Sequence, residues 1–90
     1  MCMIVSGFLT PNWTGTYDVA GVYNGYSYYK LYGVNQYISW GGAGVGWVIS
    51  DTLGTQNPPW WGPGTGGLGN PTGTYPPGTG ATGTATVTSC

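Results

Sequence analysis

The chain has no histidine, no glutamate and no arginine among its 90 residues, and its only charged side chains are Asp18, Lys30 and Asp51. Each absence removes a class of function. With no His or Glu, and no base beside any Ser or Cys, general acid–base and nucleophilic catalysis lack their reagents, so the chain reads as non-enzymatic. Two carboxylates far apart in sequence and two terminal thiols match no metal-ligand spacing, and no cofactor is implied. A single lysine cannot neutralise several phosphates, which argues against nucleic acid as a partner. The longest apolar runs, MCMIV and VGWVI, fall far short of the roughly 20 residues of a membrane helix. The amino terminus has neither a basic region nor a small-residue cleavage site, so the expectation is a chain made in a cytoplasm and left unprocessed.

A charged fraction of 3%, where about 25% is ordinary, leaves a surface that charge does not keep dispersed. Such a surface is expected to be covered by other subunits. Glycosylation is the rival explanation, with Asn12-Trp13-Thr14 the only acceptor sequon because Asn70 is followed by Pro71. A chain this short forms one domain with a thin core, and something beyond apolar burial is expected to help hold it. Cys2 and Cys90 leave three readings open. They are free thiols, or a bridge between neighbouring subunits, or a bridge within the chain that nearly circularises it and contributes about 4 to 5 kcal/mol by the chain-entropy model.

What the chain does have is glycine, tyrosine and tryptophan: 19, 8 and 5 residues. Glycine and proline are spread so that no long window shows apolar recurrence at three and four, which excludes helix. β-branched and aromatic residues dominate the rest. Tyr17, Val19 and Tyr23 share one side of a period-two segment, and Asn24-Gly25 is a strong hairpin signal. In YSYYKLY, Tyr26, Tyr28, Lys30 and Tyr32 face one way and Tyr29 and Leu31 the other. QYISW and VGWVIS follow, with Ile38 and Trp40 on one face and Trp47 and Ile49 on one face. The expected fold is all-β: a small antiparallel meander, sandwich or partly open barrel of about four to six short strands.

Residues 14–53 form the meander of this single domain. Residues 54–80 form a long Gly/Pro-rich loop, of a composition that usually marks a disordered linker. If ordered, it must be pinned by contacts, some of them from other chains. Residues 81–90, with Thr82, Thr84, Thr86 and Thr88 alternating with small residues, read as a closing edge strand able to add to a neighbour's sheet.

The aromatic residues divide by context. Tyr17, Ile38, Trp40, Trp47 and Ile49 are the expected core. Trp60 and Trp61, in PPWWGPG, have little local structure to bury them and are expected at a subunit interface. Tyr26, Tyr28 and Tyr32 are candidates for stacking on sugar rings, though buried cross-strand pairing is an equal reading. The hexapeptide NWTGTY at 12–17 returns as NPTGTY at 70–75. It reads as one strand-opening device used twice, its glycine allowing a bulge or tight bend, rather than as a binding site.

Several motifs together resemble a small Gly, Tyr and Trp-rich β module of tailed-phage virion accessory proteins and larger bacterial surface proteins. They are Gly15-Thr16-Tyr17, Asn24-Gly25 with Tyr29, Tyr37-Ile38-Ser39-Trp40 and Trp47-Val48-Ile49-Ser50. The resemblance covers residues 14–53 and the closing Thr-rich strand, and it carries over no catalytic residue. It implies a virion structural protein, a capsid decoration or other accessory subunit, with copies of itself or a major capsid protein as partners. Docking is then expected through Met1, Met3, Ile4, Trp60 and Trp61, and through strand addition at Thr84 and Thr86. Two other functions stay open: a self-assembling extracellular fibril or sheath subunit, and a glycan-binding adhesive module.

Overall fold

The computed structural model describes all residues from Met1 to Cys90. Alternation of apolar and polar residues, broken by glycine at short intervals, gives seven strands and no helix. They are β1 (Cys2–Ser6), β2 (Gly15–Tyr23), β3 (Tyr26–Leu31), β4 (Tyr37–Trp40), β5 (Trp47–Ser50), β6 (Gly73–Tyr75) and β7 (Ala85–Ser89). Every pairing is antiparallel, and the order across the sheet is β5-β4-β3-β2-β1-β7-β6. The Asn24-Gly25 turn has φ of 56° and 87°, the positive pair that a two-residue hairpin loop requires. One unpaired residue, Ala20, bulges from β2 where the register shifts.

The sheet then closes on itself through the Gly/Pro-rich segment. Trp61 exchanges backbone hydrogen bonds with Ile49 of β5, at 2.9 and 3.0 Å. On its other side the same segment pairs with the chain leaving β6: Gly62 N–H donates to Pro76 O (2.9 Å), Gly78 N–H to Trp60 O (2.8 Å) and Thr65 N–H to Thr74 O (3.1 Å). Residues 60–65 thus act as one more stave between β5 and β6, and the all-β expectation resolves to a small barrel. Closure removes the unpaired rows of N–H and C=O groups that an open sheet exposes.

This closure bears on three expectations. Within residues 54–80, the stretch 60–65 is held by backbone pairing to its own chain. β7 is not an edge strand, because it lies between β1 and β6. MCMIV is not a free docking segment: Met3 and Val5 alternate into the core as part of β1, leaving Ile4 outside. The strand count also exceeds the expected one: β1 is the apolar run at the amino terminus, which in sequence reads as a docking segment, and β6 is only three residues long.

Inside the barrel, Tyr17, Ile38, Trp47 and Ile49 are buried as expected, joined by Met3, Trp13, Tyr29, Trp61, Tyr75 and Val87. Trp40 is only half-buried, packed against this core. The indole N–H groups of Trp47 and Trp61 donate to Gly67 O and Gly83 O, each at 3.0 Å. No buried side-chain nitrogen or oxygen lacks a partner, which a core this rich in Tyr and Trp needs, because an unpaired buried polar group costs about 1–3 kcal/mol. A strap at residues 51–59 folds over the outer face of β4 and β5. Gly54 N–H donates to Ser39 Oγ (2.8 Å), and the outward-pointing Ser39, Val48 and Ser50 are buried.

The repeated hexapeptide does the same work twice. Asn12 Oδ1 accepts from Thr14 N–H (3.2 Å) and Oγ1 (2.7 Å); Asn70 Oδ1 accepts from Thr72 N–H (3.1 Å) and Oγ1 (2.7 Å). Gly15 and Gly73 follow with φ of 147° and 129°, backbone that side chains rarely adopt. The tyrosine hydroxyls then reach back: Tyr17 donates to Trp13 O at 2.7 Å, and Tyr75 donates to Pro71 O. Because β2 and β6 run antiparallel, the two devices open strands at opposite ends of the barrel. Cys2 and Cys90 form a disulfide within the chain, with Cα atoms 5.5 Å apart, next to the Met3–Ser89 register pair of β1 and β7.

Replacing both cysteines by serine is expected to lower stability by about 4 kcal/mol, the entropy of a loop that closes nearly the whole chain. Urea titration reads this as a lower midpoint. Burial also holds the Tyr17 and Tyr75 phenols far above their ordinary pKa, with Tyr29 adding a repulsive contribution at Tyr75. Their contribution to stability is whole below pH about 10 and falls above it, by about 1.4 kcal/mol per pH unit for each phenol, as the unfolded chain ionises and the folded chain does not. Tyr17→Phe should roughly halve that alkaline slope and cost about 1–2 kcal/mol at neutral pH for the lost hydrogen bond. Stability independent of pH between 8 and 11 would contradict this account.

Candidate functional site

With the sheet closed, any site must lie on the outer face or at the barrel ends. Strand directions assign the loops. Residues 7–14 and 32–36 lie at one end, and Met1, the Asn24-Gly25 turn and residues 66–72 at the other.

Of the two readings open for Tyr26, Tyr28 and Tyr32, the outer face favours aromatic pairing over a flat stacking platform. Tyr26 turns onto the core, edge-on to Trp40 (5.8 Å between ring centroids) and to Trp47 (6.0 Å). Tyr28 meets Tyr37 edge to face at 5.9 Å, beside Lys30, whose register partner across the strands is Asp18. Tyr32 projects alone after β3, 92% exposed. Close aromatic pairs throughout the protein are tilted by 52° to 72°, so none presents two coplanar faces.

The expected interface residues also scatter. Trp61 is wholly buried, its ring 5.4 Å from that of Trp13, and Met3 is buried in β1. Neither can dock on a neighbour while the barrel is intact. Trp60 is half-buried with its indole lying over Gly78, where a Cβ would clash with the ring. Thr84 and Thr86 are exposed, but the backbone around Thr86 is paired on both sides, to Ser6 and to Thr74. Their hydroxyls remain accessible; their edge does not. Met1 (86% exposed) and Ile4 stay on the surface.

The site that sequence reasoning passed over is the loop SGFLTP. Its Phe8, the only phenylalanine, is 100% exposed. The signal was there: a glycine precedes it and a proline follows three residues later, so no strand could turn that ring inward. The loop is fixed at both ends. Thr10 and Thr82 exchange backbone hydrogen bonds at 3.2 and 2.9 Å, Leu9 is buried in the core, and the Phe8 carbonyl is pressed against Gly83, where any Cβ would collide with it.

Beside the ring opens a cleft of about 400 Å³ lined by Gly7, Phe8, Leu9, Thr10, Asn12 and Thr14. No charged side chain borders it. The Asn12 carbonyl oxygen is used by Thr14, leaving its amide N–H groups directed to no acceptor in the chain. Such a lining can bind by apolar contact and neutral hydrogen bonds, and it offers no general base and no nucleophile poised beside one. No group of three or more His, Cys, Asp or Glu side chains is brought together anywhere in the protein.

Phe8→Ala should leave stability within about 0.5 kcal/mol, as for exposed residues generally, whereas Trp61→Ala should cost about 3–5 kcal/mol by opening a cavity at the closing stave. Parallel urea titrations decide this, and a destabilised Phe8→Ala variant would mean the ring packs on the fold after all. No protein-family model, curated protein or solved structure matches the chain.

Proposed function

We propose that this protein is a non-enzymatic structural subunit of a virion, an accessory or decoration protein whose partners are a larger particle protein such as the major capsid protein, or further copies of itself. The observation that carries the proposal is an almost uncharged, disulfide-joined barrel with bare apolar side chains, Met1, Val22 and Leu68, gathered at one end. Free in solution such a surface has little charge to oppose association, and on a particle those side chains are covered. The resemblance of residues 14–53 to phage accessory modules points the same way.

The attachment mode differs from strand addition at Thr84 and Thr86, since the backbone around Thr86 is paired on both sides. Attachment is by side chains at the end carrying Met1, Val22 and Leu68, the last 72% exposed.

The direct test is immunogold labelling of lysates from cells that produce the protein, using antiserum raised against the purified chain. Regularly spaced label on particles is the expected outcome. Label confined to cell envelopes or to free filaments would overturn the virion assignment. Met1→Ser with Leu68→Ser should remove the chain from particles without unfolding it, as read by sedimentation of the particles.

A further inference from the structure

We propose that the cleft between Gly7 and Thr14 is a binding site for a neutral saccharide, with the Phe8 ring as its stacking face and the Asn12 amide and Thr10 hydroxyl as its hydrogen-bonding edge. The inference rests first on what the loop is not needed for. The twin device at Asn70–Tyr75 opens β6 with the same turn, the same positive-φ glycine and the same tyrosine contact. It is led in by Gly66-Gly67-Leu68-Gly69, without an aromatic ring or a cleft. Strand opening therefore does not require Phe8, nor the residues that frame the cleft around it.

Second, the ring is held outward by a fixed backbone. Leu9 is anchored in the core, Thr10 is bridged to Thr82, and the Phe8 carbonyl faces Gly83 at a distance that admits no side chain. A loop fixed in this way loses little conformational freedom on binding, which favours a ligand that offers few contacts. A fully exposed phenylalanine in water is unfavourable and becomes favourable once covered.

Third, the lining selects the ligand's chemistry. A pyranose has an apolar face of C–H groups and a rim of hydroxyls, and it carries no charge. The cleft sets an apolar ring beside the Asn12 amide donors and the Thr10 hydroxyl, none of which is bonded within the chain, and the Thr14 hydroxyl keeps acceptor capacity. Phosphorylated or acidic ligands find no cation there, because the only lysine, Lys30, sits on the outer face of β3 beside Tyr37. The proposed site is separate from the end assigned to particle attachment, so a docked subunit would keep it accessible.

The test is a titration of the disulfide-intact full chain, labelled with nitrogen-15, with cellohexaose, xylohexaose and chitohexaose in turn, followed by amide NMR. At least one is expected to shift resonances confined to residues 7–14 and the adjoining 82–84, with affinity in the millimolar range or tighter. Phe8→Ala should weaken that binding at least tenfold. Asn12→Asp, which keeps the oxygen that Thr14 needs and removes the amide donors, should weaken it several-fold, while Leu68→Ala leaves it unchanged. Absence of shifts with all three saccharides overturns the proposal. So do shifts centred on Tyr28, Tyr32 and Tyr37, or wild-type binding by a folded Phe8→Ala variant. Protection of Phe8 by a particle protein, in place of any saccharide effect, would assign the ring to protein docking instead.

Discussion

The pairing of residues 60–65 with β5 on one side and the chain leaving β6 on the other is the constraint on which the other features depend. Without it the seven strands form an open sheet whose inner face, rich in tyrosine and tryptophan, has nothing opposite it. With it, Trp61 occupies the interior and touches Trp13, the tail is ordered by its own chain, and both sheet edges are consumed. The glycines and prolines around the two tryptophans serve this pairing. Gly62 lies against the backbone of Trp47 and the side chain of Val48 with no room for a side chain of its own, so only a stave this bare can sit so close to β5.

The meander from Gly15 to Ser50 was legible because its strands alternate cleanly and its turns carry their own signals. Asn24-Gly25 announces a hairpin by backbone chemistry alone, and Ile38, Trp47 and Ile49 have no outward reading once Tyr37, Ser39 and Ser50 take the other face. The repeated hexapeptide was also legible as a strand-opening device, though not the tyrosine hydroxyl that reaches four residues back to lock it. That bond depends on a tertiary burial that local pattern does not encode.

Trp61 was misread for a physical reason. A proline-rich segment has no periodicity, so the sequence could not reveal that it lies extended between two strands distant along the chain. The same long-range pairing turned the Thr-rich segment from an edge into an interior strand. Phe8 was missed for the opposite reason. An isolated aromatic in a loop looks unremarkable beside eight tyrosines and five tryptophans, and only the completed fold separates the ring that is left outside from those that are taken in.

The Cys2–Cys90 bridge encloses all the residues between its two half-cystines in one covalent ring. A protease that severs any single peptide bond within that ring opens it into a linear molecule and releases no fragment, since both pieces remain joined through sulfur. The strap, the Phe8 loop and the glycine-rich turns are exposed to such cleavage, and each can be nicked once without the barrel losing a stave. Two cuts, or one cut together with a reductant, are needed before any part of the protein can diffuse away.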